Sequence, residues 1–532
     1  MAVLSATPTL HIVTSFQKSL HQLENDAGLG NCDQVYIEDL NKCASIVARL
    51  TSSSEVRQLL ETGLHRRLHK SCNDLIAVCN DKFKVYPYNE VPRCWRALYT
   101  AASLLSACTT LVAVTHLSLT LLRSANVHTE EVLAAVQKLD LAIIVAGAPG
   151  TDVKACIQDT IRGLQRCALL QDIGSQARDV PQRPSKKRRV DEDTSKTLAS
   201  SVRCRAAKAV PEVSALPWLS GDDPRRLRPF IVRGFAEDWP ASIPDHEGSS
   251  RVGRWADGDY LGRIAGPGRV VPVEVGGSYT AEDWSQGIVG WETFLESSGW
   301  HLTHGHHPVS TRGHHQKHAG KQLYLAQHQL VQQFPSLLRD IITPDIVHME
   351  LAKPPWMPGY QPPLDADGNA DHLTNVWIGP EGTNSPAHTD PYYNCYIQVV
   401  GRKAIWLAPP DSDEQGGMQT FGSSSARIAS GSETERAAHA SPMGHISKAD
   451  PSDDVDEGDD GAAALMTNTS RVDVFHVEGD AQEVTYPPAF KNHVEPRAMH
   501  AILEPGDLLF MPPGWWHAMR SLSRSFSVSM WF

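Results

Sequence analysis

The chain has 532 residues, 41% of them hydrophobic, and a formal net charge of −12. That length exceeds one ordinary hydrophobic core, so two or more domains are expected. The negative balance excludes a protein that coats nucleic acid through its overall field, and no direct nucleic-acid binding is expected.

The first residues lack a basic start followed by a clean apolar run, so no signal peptide is expected. Apolar residues then recur at helical spacing across 40–50, 56–68 and 132–145, with few glycines and prolines. This pattern predicts an α-helical domain over 1–172, a packed bundle suited to docking. The longest apolar stretch, 101–122, is interrupted by Ser103, Ser106, Thr109 and Thr110. It reads as a buried helix, and no membrane association is expected. The ten cysteines form no CxxC pair, which removes zinc fingers of the ribbon type. Reduced thiols in a reducing compartment are expected.

Residues 173–209 are polar and read as a linker. They contain the compact basic run Pro184-Ser185-Lys186-Lys187-Arg188-Arg189-Val190. A nuclear-import receptor recognises such a run, so the nucleus, with the cytoplasm second, is the expected location. A merely solvated charge run is the plainer alternative. The acidic Asp191-Glu192-Asp193 that follows argues against a DNA-binding arm.

From 210 to 532 the texture changes. Strand-like runs at 229–232, 270–275 and 394–400 are punctuated by turn residues. Helical decoration is expected near 291–296 and 327–334. The whole chain is therefore expected to be α+β, with a helical domain followed by an antiparallel β domain. Two insertions interrupt the latter. Segment 301–318 is rich in histidine and reads as an exposed loop rather than a metal-binding tract. Segment 411–464 is rich in Ser, Gly, Asp and Glu, and is expected to be disordered.

Chemistry concentrates late in the chain. In Ser385-Pro386-Ala387-His388-Thr389-Asp390, strand alternation projects His388 and Asp390 to one side. His-x-Asp alone is common. It gains weight from Pro505-Gly506-Asp507, an apolar strand at 508–511 and a Pro-Pro-Gly bend that presents His517. Two histidines and one carboxylate leave open positions on a metal, as non-haem Fe(II) oxygenases require. Cys395 nearby is expected to be a packing residue. A hairpin is predicted from 394–400 through Gly401-Arg402 into a strand starting at Lys403. Facing the interior, Lys403 needs an anion, which the distal carboxylate of 2-oxoglutarate would supply. Asn394 and Ser385 flank the same pocket.

Together these residues resemble the JmjC family of double-stranded β-helix oxygenases, a cupin-like jelly roll. The resemblance spans 229–532 and is closest to the branch described both as lysine-specific demethylase 8-like and as arginyl hydroxylase. Val271-Pro272-Val273-Glu274-Val275-Gly276, Tyr324-Leu325-Ala326-Gln327-His328, Gly401-Arg402-Lys403 and Phe526-Ser527-Val528-Ser529-Met530-Trp531 also carry it. It implies His388, Asp390 and His517 as Fe(II) ligands, and Tyr324, Ser385, Asn394 and Lys403 as 2-oxoglutarate contacts. Trp377 is implied as an aromatic lining the pocket, and O2 as the oxidant. The implied substrate is a histone or other basic protein, modified by lysine demethylation or arginyl hydroxylation. The histidine-rich loop and the acidic insertion depart from the family pattern. Two rivals are a catalytically weak JmjC scaffold in transcription and a cupin-like protein using another metal. The intact triad with Lys403 counts against the first, and Lys403 with the Asn394 position against the second.

Overall fold

The structure is a computed structural model that describes residues 7–25, 28–50, 53–86, 90–120, 125–176, 202–217, 227–245, 252–276, 284–303, 320–364, 372–420, 468–477 and 486–532. The basic run at 184–190 and most of the 301–318 loop lie outside them, as does most of the acidic insertion.

Seven helices come first: α1 (Thr7–Asn25), α2 (Gln34–Ala48), α3 (Ser53–Glu61), α4 (Leu64–Val85), α5 (Arg93–Thr120), α6 (Ala125–Ala146) and α7 (Thr151–Gln176). Helix α5 is the hub, touching α1, α2, α3, α4, α6 and α7. It is apolar around most of its circumference, so burial on all sides is its stable solution. Leu98, Leu104, Leu105 and Cys108 are fully buried. Residues 93–115 are long and apolar enough to cross a membrane, yet that window is wholly buried among the other helices. Their small hydroxyl side chains are accommodated by back-bonding, as Thr109 donates to the Leu105 carbonyl at 2.8 Å.

The strands follow: β1 (Val202–Cys204), β2 (Lys208–Ala209), β3 (Glu212–Val213), β4 (Phe230–Val232), β5 (Val270–Val275), β6 (Ser285–Gly290), β7 (Leu323–His328), β8 (Leu373–Gly379), β9 (Asn384–Thr389), β10 (Asn394–Val400), β11 (Lys403–Ala408), β12 (Phe475–Val477), β13 (Met499–Leu503), β14 (Leu508–Met511), β15 (Trp516–Ser521) and β16 (Ser525–Trp531). Among the described residues, one sheet has the order β3-β4-β14-β10-β16-β8-β7-β5-β6 and the facing sheet the order β2-β13-β11-β15-β9. Strands β1 and β2 fall within the expected linker at 173–209. Lys208 pairs with Met499 on β13, so the chain joins the β domain slightly before 210.

Alternation along the strands separates inside from outside. On β11, Ala404, Trp406 and Ala408 pack outward with Trp516 and Phe490. Ile405 and Leu407 face inward with Tyr396, Leu509, Met511 and Met519. On β10, Cys395 and Ile397 join the opposite outer core with Trp255 and Phe526. Cys395 is therefore a packing residue that points away from the interior.

The helical and β domains meet through buried polar bonds. Asp140 of α6 accepts from Arg269 Nε at 2.9 Å and Nη2 at 2.7 Å, and from the Val270 N–H at 2.9 Å. Arg269 also donates to the Gln333 carbonyl at 2.7 Å and stacks 4.4 Å from the Phe334 ring centroid. From α7, Gln165 donates to the Ala265 and Pro267 carbonyls.

The acidic insertion begins later than composition predicts. Residues 410–413 form a short 3-10 helix, and Met418 is fully buried against the outer core. Anchored apolar residues at the start of a polar tract are invisible to a composition average. Thr420 bridges Ser470, and Thr469 bridges His388.

Candidate metal and cosubstrate site

Strands β9 and β15 lie side by side, with His388 opposite His517. Two steps later Met519 opposes Ser385, so two residues of β15 span three of β9. This bulge at Pro386 and Ala387 reverses the strand's parity. It lets Ser385 and His388, three residues apart, both face the interior while Ala387 packs outward. The Pro512-Pro513-Gly514 bend is tied to the same place, because the Gly514 N–H donates to the Asp390 carbonyl at 2.8 Å. Gly514 has φ +76°, a left-handed conformation that suits glycine.

Both imidazoles are held alike. His388 Nδ1 lies 2.8 Å from the Pro386 carbonyl and His517 Nδ1 lies 3.1 Å from the Trp515 carbonyl. A carbonyl only accepts, so each Nδ1 carries a proton and each Nε2 turns toward Asp390, His388 with a lone pair and His517 with a proton that a bound cation would displace. Those Nε2 atoms stand 3.8 and 3.4 Å from the Asp390 carboxylate. The ligand atoms of all three residues lie within 4.8 Å of one another. Cis ligands around an octahedral centre stand about 3 Å apart, so one cation fits among them with small adjustments. Burial and the neighbouring His517 push the His388 pKa down to about 4, which keeps it neutral and ready to ligate. Burial opposes the charges of Asp390 and His517. Their mutual attraction outweighs it, holding the carboxylate below and the imidazole above their ordinary values.

The cosubstrate end starts at Gly401, which has φ +75° and no room for a side chain. A Cβ there would stand 1.9 Å from the Arg524 carbonyl. The tight turn delivers Lys403 to the interior at 1% exposure. Its ammonium donates to the Tyr324 hydroxyl at 3.3 Å and the Tyr396 hydroxyl at 2.7 Å. No carboxylate among the described residues offsets its charge, and burial alone pushes its pKa down to about 7. Lys403 sits opposite Ser521, four residues along β15 from His517, whose partner is Leu407. That is about 13 Å of strand, a span that a lysine stem and a five-carbon dicarboxylate divide between them. The buried Trp377 Nε1–H has no acceptor among the described residues, and its ring lies 6.1 Å from that of Tyr324. Asn394, 3% exposed, accepts from Ser529 at 2.9 Å, and Ser385 is 5% exposed. A buried cation without an anion and an indole N–H without an acceptor suit an elongated dicarboxylate.

The chain is similar to known proteins over this domain. A model of the cupin-like domain family matches residues 225–532. The chain is 30% identical over 307 residues to Jumonji C domain-containing protein 5 of Drosophila melanogaster, covering 57% of this chain and 54% of that one. It belongs to the JmjC branch of the cupin-like proteins. It is 29% identical over 304 residues to lysine-specific demethylase JMJ30 of Arabidopsis thaliana, covering 57% of this chain and 49% of that one. It is 27% identical over 457 residues to lysine-specific demethylase 8 of Danio rerio, covering 85% of this chain and 84% of that one. The chain thus spans about half the length of the fly and plant relatives. JmjC proteins generally use Fe(II) and 2-oxoglutarate.

In this JmjC domain the expected residues fall into two clusters, the triad at one end of the interior and Lys403 with Tyr324 at the other. Two residues escaped the sequence reading. Tyr396 shares the inward face of β10 with Asn394, which alternation alone reveals. Glu274 pairs across β5 and β7 with Tyr324, so both project from the same face. Burial pushes the Glu274 pKa up to about 7 against a hydrogen bond from Trp284, and no cation among the described residues lowers it.

Proposed function

We propose that this protein is an Fe(II)- and 2-oxoglutarate-dependent oxygenase acting on a basic side chain of a histone or another basic protein. The observation that carries the reading is the buried Lys403 ammonium with no carboxylate beside it among the described residues, in the interior that also holds the triad. His388, Asp390 and His517 would hold the iron through two Nε2 atoms and a carboxylate oxygen. Lys403 and Tyr324 would bind the distal carboxylate, with Ser385, Asn394 and Trp377 lining the remainder. When bound, iron and 2-oxoglutarate supply oxidation of a C–H bond by O2, one oxygen atom entering succinate as CO2 leaves and the other entering the product.

Glu274 supports a cationic substrate. A half-buried carboxylate that meets the Trp284 indole but no cation among the described residues, on the face that carries Tyr324, suits a guanidinium or an ammonium. A hydroxyl placed on an arginyl carbon persists, whereas one on an N-methyl group departs as formaldehyde. The same residues serve both outcomes. Nuclear import is part of the reading and rests on the basic run at 184–190.

A basic peptide library incubated with Fe(II), ascorbate and 2-oxoglutarate tests this, with masses read after the reaction. The expected result is a gain of one oxygen or the loss of a methyl group on a lysine or arginine peptide. Absence of any mass change, together with no succinate formation, overturns the proposal.

A further inference from the structure

Lys403 has a nearer partner than Tyr324. The Tyr396 hydroxyl stands 2.7 Å from the ammonium, against 3.3 Å for Tyr324, and Tyr396 is 1% exposed. The ammonium also lies 5.4 Å from the Tyr396 ring centroid and 5.6 Å from that of Tyr324, so the two phenols bracket it. Tyr396 is otherwise packed among apolar side chains, Ile405, Leu407, Leu509 and Met519. A phenol in such company exposes its hydroxyl to whatever polar group shares the pocket. An ammonium has three donors and accepts nothing, so each phenol accepts from Lys403, and the Tyr396 O–H is left to donate to an acceptor. Ser527, on the Ser-lined inner face of β16, stands beside the Tyr396 hydroxyl. It gives its own proton to Gln398 Oε1 at 2.7 Å.

We infer that Tyr396 is a direct contact for the distal carboxylate of the dicarboxylate cosubstrate, completing a clamp of one ammonium and two phenol hydroxyls. This inference rests on the 2-oxoglutarate reading proposed above. The chemistry is matched, since a carboxylate offers two oxygens with about four acceptor sites. Two neutral O–H donors flanking a cation satisfy it without adding a second buried charge, which would be costly.

The test is calorimetric binding to Mn(II)-loaded full-length protein, where no turnover occurs. Two probes are used: 2-oxoglutarate, and 2-oxobutyrate, which keeps the chelating end but lacks the distal carboxylate. For Tyr396→Phe, 2-oxoglutarate affinity falls about tenfold or more, as for one lost hydrogen bond to a charged group. Affinity for 2-oxobutyrate stays unchanged, and Tyr396→Gln recovers part of the loss. Equal weakening of both probes, or unchanged 2-oxoglutarate binding, overturns the assignment. A parent protein that does not bind 2-oxoglutarate more tightly than 2-oxobutyrate sinks the cosubstrate reading itself. If the parent prefers 2-oxoglutarate and Lys403→Met loses that preference while Tyr396→Phe keeps it, the clamp alone fails.

Discussion

Replacing Asp140 by alanine tests whether the helical and JmjC domains unfold as one unit. Asp140 is 0% exposed and Arg269 is 6% exposed. The substitution removes the carboxylate that accepts from Arg269 Nε and Nη2, leaving the guanidinium with the Gln333 carbonyl. It also strips the Val270 N–H of its acceptor. Breaking a buried ion pair from one side costs about 3–5 kcal/mol, because an uncompensated charge remains. An orphaned buried N–H adds about 1–3 kcal/mol. The two losses share a site and do not sum fully, and Phe334 retains its stacking on Arg269, so about 4 kcal/mol is expected. Urea denaturation reads the effect twice. Tryptophan emission follows the C-terminal part, since Trp95 is the single tryptophan of the helical part among 13. Far-ultraviolet circular dichroism is weighted to the helices. In the parent the two curves coincide, and in Asp140→Ala they separate. A paired Asp140→Leu, Arg269→Met variant recovers most of the stability, because no charge is left buried. Coincident curves with a loss under about 1 kcal/mol in Asp140→Ala would refute the reasoning.

Dicarboxylate binding is expected to depend on pH through Lys403, whose pKa burial pushes down to about 7. Below that pH the ammonium is already present. Above it, binding must draw in a proton, so calorimetric affinity falls up to about tenfold per pH unit, and Lys403→Met abolishes the slope. The unfolded lysine keeps its proton to about pH 10.4, so the ligand-free protein gains stability as pH rises through that window. Asp390→Ala is expected to weaken Mn(II) binding in equilibrium dialysis by about 100-fold or more, since losing a ligand exceeds the effect of losing its supports. Retained binding would remove Asp390 from the ligand set. Glu274→Gln is expected to raise KM for a basic peptide about tenfold or more while leaving 2-oxoglutarate affinity untouched, measured by succinate formation. An unchanged KM would separate Glu274 from substrate binding.

The triad and the Lys403 hairpin were legible because their signals are short. His-x-Asp, the Pro-Pro-Gly bend and Gly401 each fix local geometry within a few residues. What stayed hidden depends on contacts across long separations. Asp140 sits mid-helix and looks like a solvated acid until α6 packs on β5. The bulge at Pro386 and Ala387 also defeats simple counting, since strict alternation from Ser385 places His388 outside. Tyr396 was overlooked although the sequence carried the clue, for it stands two residues from Asn394 on an inward face. Residues 411–420 look polar on average, but the buried Met418 and the Thr420–Ser470 bridge pin them.

The pairing of Thr420 with Ser470 closes a neck at the foot of segment 421–467. The described residues on either side of that segment meet in one bridge, and Thr469 lies along β9 next to His388. Closure entropy grows only with the logarithm of loop length. Evolution can therefore lengthen, shorten or rewrite everything above the neck at small thermodynamic cost.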